Sequence, residues 1–196
     1  MRALPSLTAS VLACAAIAAC SDRTPTSAAS STSSSSSTSP PLAYEGARGS
    51  VPPSVLTTPL PPVGGFTSQV LARGGFLDDI AMTFRIKLDR ATTVVHVPDP
   101  SDVIMARITI QPNSALPWHT HPGPAIATVA SGELTIVDSG GCEVRRYGAG
   151  TAFMDEGRGH VHTAFNGSDV ETVIYVTYLD VPSGQGPLVP AANPGC

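Results

Sequence analysis

Pro117-Trp118-His119-Thr120-His121-Pro122 sets two histidines one residue apart in a segment that otherwise reads as strand. Side chains alternate faces along a strand, so His119 and His121 project to one side, about 7 Å apart along the backbone. Two imidazoles placed this way can share one metal ion. Gly159-His160-Val161-His162 repeats the spacing, so four of the five histidines fall in two His-x-His pairs. Three imidazoles plus water make a sufficient set for a catalytic divalent ion. Imidazole suits several such ions, so Fe, Zn, Mn, Ni and Cu are not distinguished by these residues. His96 stands alone and reads as a hydrogen-bonded surface or rim residue. No Gly-x-Ser-x-Gly elbow, P-loop or dinucleotide glycine pattern offers a competing chemistry.

The elements that must position these histidines are strands. From Phe66 onward, short alternating apolar runs are divided by Gly, Pro, Asn and Asp. Runs fall at 81–88, 103–110, 125–130, 134–137, 144–147, 151–154, 160–165 and 172–179. In the second of these, Ile104, Ala106, Ile108 and Ile110 share a face. Runs at this spacing, with turn residues between them, predict an all-β sandwich or barrel. Ser131-Gly132 and Gly140-Gly141 are predicted tight turns, since glycine accepts positive φ. One short helical turn is expected near residues 67–73. Trp118 should face away from the histidine pair, and Tyr175 and Tyr178 should fill the barrel wall.

The histidine pair and a further histidine some 40 residues later resemble the two motifs of the cupin superfamily. The first motif is matched at His119, His121 and the closing Gly132, with Asn113 in place of its opening glycine. Asparagine is the best substitute where a turn needs left-handed backbone. The second is matched at Gly159, His162 and Asn166; Gly157 replaces its proline, and Gly150 stands one residue too far upstream. The likeness covers roughly residues 66–181 and is closest to small secreted bacterial cupins. It implies a single double-stranded β-helix, or jelly-roll barrel, and a metal held by His119, His121 and His162. The family's metal-binding Glu falls on Ala125, which ligates nothing. Its loss opens a coordination position beside two small residues, Ala125 and Ala127. His160 either moves into that vacancy or sits at the barrel rim. Of Asp155 and Glu156, adjacent and so facing opposite ways, at most one reaches the site as base or substitute ligand; solvated loop charges are the plainer reading.

The chain's first residues suggest export. Arg2 and an apolar run from Leu4 to Ala19 resemble a secretory signal, too short to span a bilayer stably. Ile17-Ala18-Ala19-Cys20 looks like a lipobox, which implies cleavage after residue 19 and a lipidated Cys20. Residues 20–65 are rich in Ser, Thr and Pro and read as a disordered tether, with a mean reach of roughly 35 Å for about 40 flexible residues. The barrel domain is then 66–196, an extracytoplasmic lipoprotein at the cell surface or in the periplasm. Cys142 and Cys196 remain, and in an oxidising compartment two leftover cysteines most simply pair. Nothing else explains how the strandless, proline-rich tail from Ser183 is held.

Net charge is −4, with no basic run or stripe, so nucleic acid is not an expected partner. The expected partners are a small-molecule ligand or substrate and the membrane, the latter through the lipid anchor alone; a homodimer stays open. Two functions remain in play. One is a metal-dependent enzyme, with a dioxygenase-type oxidoreductase implied by the three-histidine members of the family. The other is a non-catalytic metal or small-ligand binding module that has lost the metal-binding Glu.

Overall fold

The computed structural model describes residues 54–88 and 91–196, the side chain of Leu88 excepted. The signal at 1–19, the lipidation site Cys20 and the tether up to residue 53 lie outside the described residues. Among those described there is no helix. The strands are β1 (Ser54–Val55), β2 (Phe66–Gly75), β3 (Met82–Leu88), β4 (Ala91–Val97), β5 (Asp102–Ile110), β6 (Ser114–Ala115) and β7 (His119–Thr120). They continue with β8 (Ala125–Ser131), β9 (Glu133–Asp138), β10 (Glu143–Gly148), β11 (Ala152–Asp155), β12 (His162–Asn166), β13 (Thr172–Val181) and β14 (Val189–Pro190).

Two antiparallel sheets carry the fold. One runs β1-β10-β9-β12-β7-β14, with β6 also on β12; the other runs β11-β8-β13-β5-β2. The hairpin β3–β4 is a separate two-stranded sheet. This is an all-β, jelly-roll-like fold.

The period-two alternation in the sequence explains the core. Ile104, Ala106, Ile108 and Ile110 of β5 are almost fully buried, beside Ala125, Ala127 and Val129 of β8 and Ile174, Val176 and Tyr178 of β13. Leu134 and Ala164 meet them from the opposite sheet. Each large aliphatic side chain buried this way stabilises the fold by about 1.5–3 kcal/mol. A second cluster forms on the other face of the histidine-bearing sheet, around Trp118, Val137 and Val144. Trp118 thus packs away from the site, as its position next to His119 requires.

Several expectations are corrected. Residues 67–73 are not a helical turn but the middle of β2, an edge strand paired with β5, with a register shift between Val70 and Ala72. Ladder pairing over ten residues outweighs a short, weak local preference. Folded structure also begins before residue 66: Ser54 pairs with Val144, Val63 bridges Ala115, and Leu56 and Leu60 pack on the Trp118 cluster. Tyr175 is 45% exposed on the outer face, while Tyr178, three residues on and so on the opposite face, is 3% exposed. The tail is not strandless, since β14 pairs with β7. Cys142 and Cys196 form a disulfide, with Cα atoms 5.5 Å apart. Closing a loop with this separation of 54 residues is worth roughly 4 kcal/mol in the chain-entropy model.

Two backbone positions follow from residue type. Asn113 takes φ +52°, the left-handed turn that its place in the first motif demands. Gly157 takes φ +65°, and a Cβ there would strike the carbonyl of Gly123. Proline, fixed near −65°, cannot occupy that position, which accounts for its replacement in the second motif.

Candidate metal centre

His119 lies in β7 and His162 in β12, directly opposite one another in the ladder. His121 follows β7, outside the strand itself. All three are buried, with exposures of 3%, 5% and 4% for His119, His121 and His162. Their ring centroids lie 4.5 to 5.2 Å apart, and one ligating atom from each falls within 4.8 Å of the others. The three histidines singled out by spacing are therefore brought together inside the barrel.

Hydrogen bonds fix which nitrogen each ring can offer. His119 Nδ1 donates to the Pro117 carbonyl at 2.7 Å, and His121 Nδ1 donates to the Pro187 carbonyl at 2.8 Å. A carbonyl only accepts, so both rings carry their proton on Nδ1 and keep the Nε2 lone pair. This arrangement orients metal-ligating imidazoles and raises their basicity. His162 Nδ1 is buried without a well-directed hydrogen bond, and Asp155 Oδ2 lies 3.3 Å from it.

Electrostatics keep the cluster neutral. Burial pulls His119 down to about 3, and the neighbouring His162 adds to the effect. Burial likewise lowers His162 to about 4 and lowers His121. Neutral imidazole is the ligating form, so no proton has to leave before a cation binds.

Asp155 and His160 are where the structure departs most from the sequence reading. Asp155 is the last residue of β11, 7% exposed, and not a solvated loop charge. Its Oδ1 accepts the Gly157 amide at 2.8 Å and its Oδ2 accepts His160 Nδ1–H at 2.6 Å. The other ring nitrogen of His160 donates to Asp138 Oδ2, also at 2.6 Å. Between two carboxylates, His160 is held as an imidazolium, its pKa raised to about 10 by the hydrogen bonds to Asp138 and Asp155. Asp155, His160 and His162 also lie close enough together to form a ligand set, but both nitrogens of His160 are engaged. Burial works against ionising Asp155, yet the hydrogen bond from His160 and the charge of that imidazolium bring its carboxyl below the usual range. His96 sits apart on the hairpin, its Nδ1 3.1 Å from Thr83 Oγ1.

The three imidazoles open onto a cavity of about 30 Å³, lined also by Asp155, Ala125, Ala127 and Tyr178. That volume suits an ion with a water, since a single water needs about 10–15 Å³ measured in this way. The donor set, three neutral nitrogens with a carboxylate beside them, fits a divalent first-row cation. No such constellation was readable for Asp138 from spacing alone, because β9 brings it to His160 only through the ladder with β12.

Residues 106–178 match the family model described as Cupin domain. No curated protein matches the chain. Among solved structures, an oxalate oxidase in complex with the substrate analogue glycolate is similar at 30% identity, covering 40% of this chain and 41% of that one, with a TM-score of 0.36. An oxalate decarboxylase of Bacillus subtilis, whose Mn(II) centres are named in its description, is 22% identical over 38% of this chain and 21% of that one, with a TM-score of 0.35. The polyketide cyclase RemF of Streptomyces resistomycificus is 18% identical over 47% of this chain and 64% of that one, with a TM-score of 0.38. The chain spans less than two thirds of the length of each of these proteins.

Proposed function

We propose that this protein, whose residues 106–178 match the cupin-domain model, binds a divalent metal ion through His119, His121 and His162 and acts there on a small molecule. The observation that carries the reading is the set of three buried, neutral imidazoles, two of them pinned through Nδ1 to carbonyls so that Nε2 is left to the cavity. When bound, such an ion supplies a Lewis-acid or redox position, and a dioxygenase-type oxidoreductase is the enzyme class this reading carries. The chain's own residues do the rest. His119, His121 and His162 hold the ion. Asp155 stands beside His162 and carries the negative charge that the site otherwise lacks. His160 keeps Asp155 ionised and fixed in place, and the aliphatic walls exclude bulk water.

The size of the cavity favours a second reading, a non-catalytic metal-binding module. About 30 Å³ accommodates an ion and a water but no organic substrate without movement of the walls. Metal analysis of the full chain, purified without an added histidine tag, tests the shared premise: about one equivalent of a first-row ion is expected, and none would sink both readings. Visible spectra of the Co(II)-loaded protein then separate them. Spectral change on adding small carboxylates or O₂ favours the enzyme, and an inert spectrum favours the module.

We also propose that the domain is exported and held at a membrane by a lipidated Cys20. The support is the signal-like run ending at Cys20 and a disulfide that suits an oxidising compartment. Cys20→Ala should shift the protein from the membrane fraction to the soluble fraction or stall its processing. A wild-type protein that is wholly soluble with Cys20 unmodified would overturn the anchor.

A further inference from the structure

Beyond β13 the chain runs from residue 182 to 196 largely exposed, with a two-residue strand in it, yet it is fastened along its length. The Arg73 guanidinium donates to the carbonyls of Pro182 at 2.8 Å and Gln185 at 2.6 Å, and Ser183 Oγ donates to Asp102 at 3.0 Å. Farther on, β14 pairs with β7, Pro190 opposite His119 and Val189 opposite Thr120. Ala191 N–H donates to the Trp118 carbonyl at 3.0 Å, and Cys196 closes the run by its bond to Cys142. This segment is a strap laid along the strand that carries the histidine pair.

Through one hydrogen bond the strap reaches an imidazole of the site directly. His119 takes its Nδ1 acceptor from Pro117, two residues away in its own segment. The acceptor for His121 is Pro187, 66 residues away and on the strap. Of the three imidazoles, His121 thus owes its tautomer and ring orientation to a segment that β7 itself does not supply. The strap has little apolar anchorage besides the disulfide itself: Leu188 is half-buried against the main core, Cys196 packs on the Trp118 cluster, and Val189 is 41% exposed. Without a cross-link, the ordering of these residues has little burial to offset its entropy.

We infer that residues 182–196, closed by the Cys142–Cys196 disulfide, form a strap that positions His121, so that the redox state of this bond sets the metal affinity of the three-histidine site. The metal-affinity half rests on the function proposed above; the orientation of His121 does not. Both cysteines are partly exposed and open to attack by a dithiol. In that exchange the S–S bond breaks, each cysteine sulfur takes up a proton from the reductant, and the two electrons come from the dithiol as it closes into its own disulfide. Freed at Cys196, the strap lifts, the Pro187 carbonyl leaves His121 Nδ1, and the ring loses its fixed tautomer.

The test uses the full chain and its Cys196→Ser variant. In the metal-free proteins, nitrogen NMR of the imidazoles should show His121 as a protected Nδ1–H tautomer in the wild type and as an averaging, exchanging ring in the variant, with His119 unchanged. Titration with Co(II) should then show affinity lowered by about 10- to 100-fold, the range seen when a partner of a metal-ligating histidine is lost. An unaltered His121 signature together with unaltered Co(II) affinity would overturn the inference. Should neither protein bind Co(II), the proposed function fails while the NMR comparison still decides the role of the strap. If Cys196→Ser does not fold, Pro187→Gly takes its place, keeping the disulfide and freeing the backbone at the carbonyl; loss of His121 protection supports the strap and retention refutes it.

Discussion

Ala125 of β8 and Asp155 of β11 are direct partners in an antiparallel ladder, and both line the cavity of the three histidines. Residues opposite one another in such a ladder share a face, with Cβ atoms about 4.5–5.5 Å apart. Alanine therefore stands where the family resemblance puts the metal-binding Glu, and a carboxylate arrives beside it from the neighbouring strand. The cavity thus has a carboxylate on the same face as Ala125, supplied by β11.

Asp155→Asn should weaken metal binding by about 10- to 100-fold, because the negative charge beside His162 is lost while the volume is kept. Adding Ala125→Glu to that variant should recover part of the affinity by returning a carboxylate to the same face. Calorimetric titration of the three proteins checks this. Equal affinity in wild type and Asp155→Asn would mean that the carboxylate serves His160 alone.

His121→Ala should abolish bound metal, since two imidazoles with no third nitrogen leave an ion underheld. His96→Ala, on the separate hairpin, should leave the metal content unchanged. Elemental analysis of both variants gives the answer, and retained metal in His121→Ala would remove His121 from the ligand set.

The period-two pattern made the core legible: Ile104 to Ile108 and Ile174 to Tyr178 alternate in the sequence as they do in the barrel. The histidine set was legible too, because residue type and spacing survive any detail of the ladder. What spacing could not reveal is pairing. Asp155 read as a loop charge because nothing local says that β11 docks on β8 and buries it. Asp138 went unnoticed because it meets His160 only through the β9–β12 ladder. Residues 67–73 looked weakly helical because edge pairing with β5 is a non-local cause. Of the strap's fastenings only the Cys142–Cys196 bond was legible; those to Arg73 and His121, 109 and 66 residues away, were not, for the same reason.

Gly157 is a backbone requirement of the site. Its φ of +65° and its close approach to Gly123 leave no room for a side chain, and its amide donates to Asp155 Oδ1. Gly157→Ala should destabilise the protein by about 1–3 kcal/mol through strain of this kind and weaken metal binding by displacing Asp155. Gly186→Ala, with open space around it and no positive φ, should be near neutral. Denaturant titration separates the two, and equal midpoints would show that the β11–β12 loop yields without cost.

Stability of the metal-free protein should peak between weakly acidic and neutral pH, for opposite reasons on the two sides. Burial holds His119 at about 3 and His162 at about 4 in the fold, while the unfolded chain titrates these rings near the ordinary value of 6.5. Between about 6.5 and 4 the unfolded state therefore binds protons that the folded state refuses, and stability falls as pH falls. His160 has the opposite sign. Its folded value of about 10 means that the native state keeps a proton above 6.5 that the unfolded chain releases. The stabilisation from its contacts with Asp138 and Asp155 is complete below 6.5 and is lost as pH rises toward 10. Thermal midpoints measured with a chelator present should thus decline on both flanks. His160→Gln should flatten the alkaline flank and leave the acid one, and His119→Gln should make the acid flank shallower, with His162 still contributing to it, and leave the alkaline one. An alkaline flank that persists in His160→Gln would show that the imidazolium between the two aspartates is not its cause.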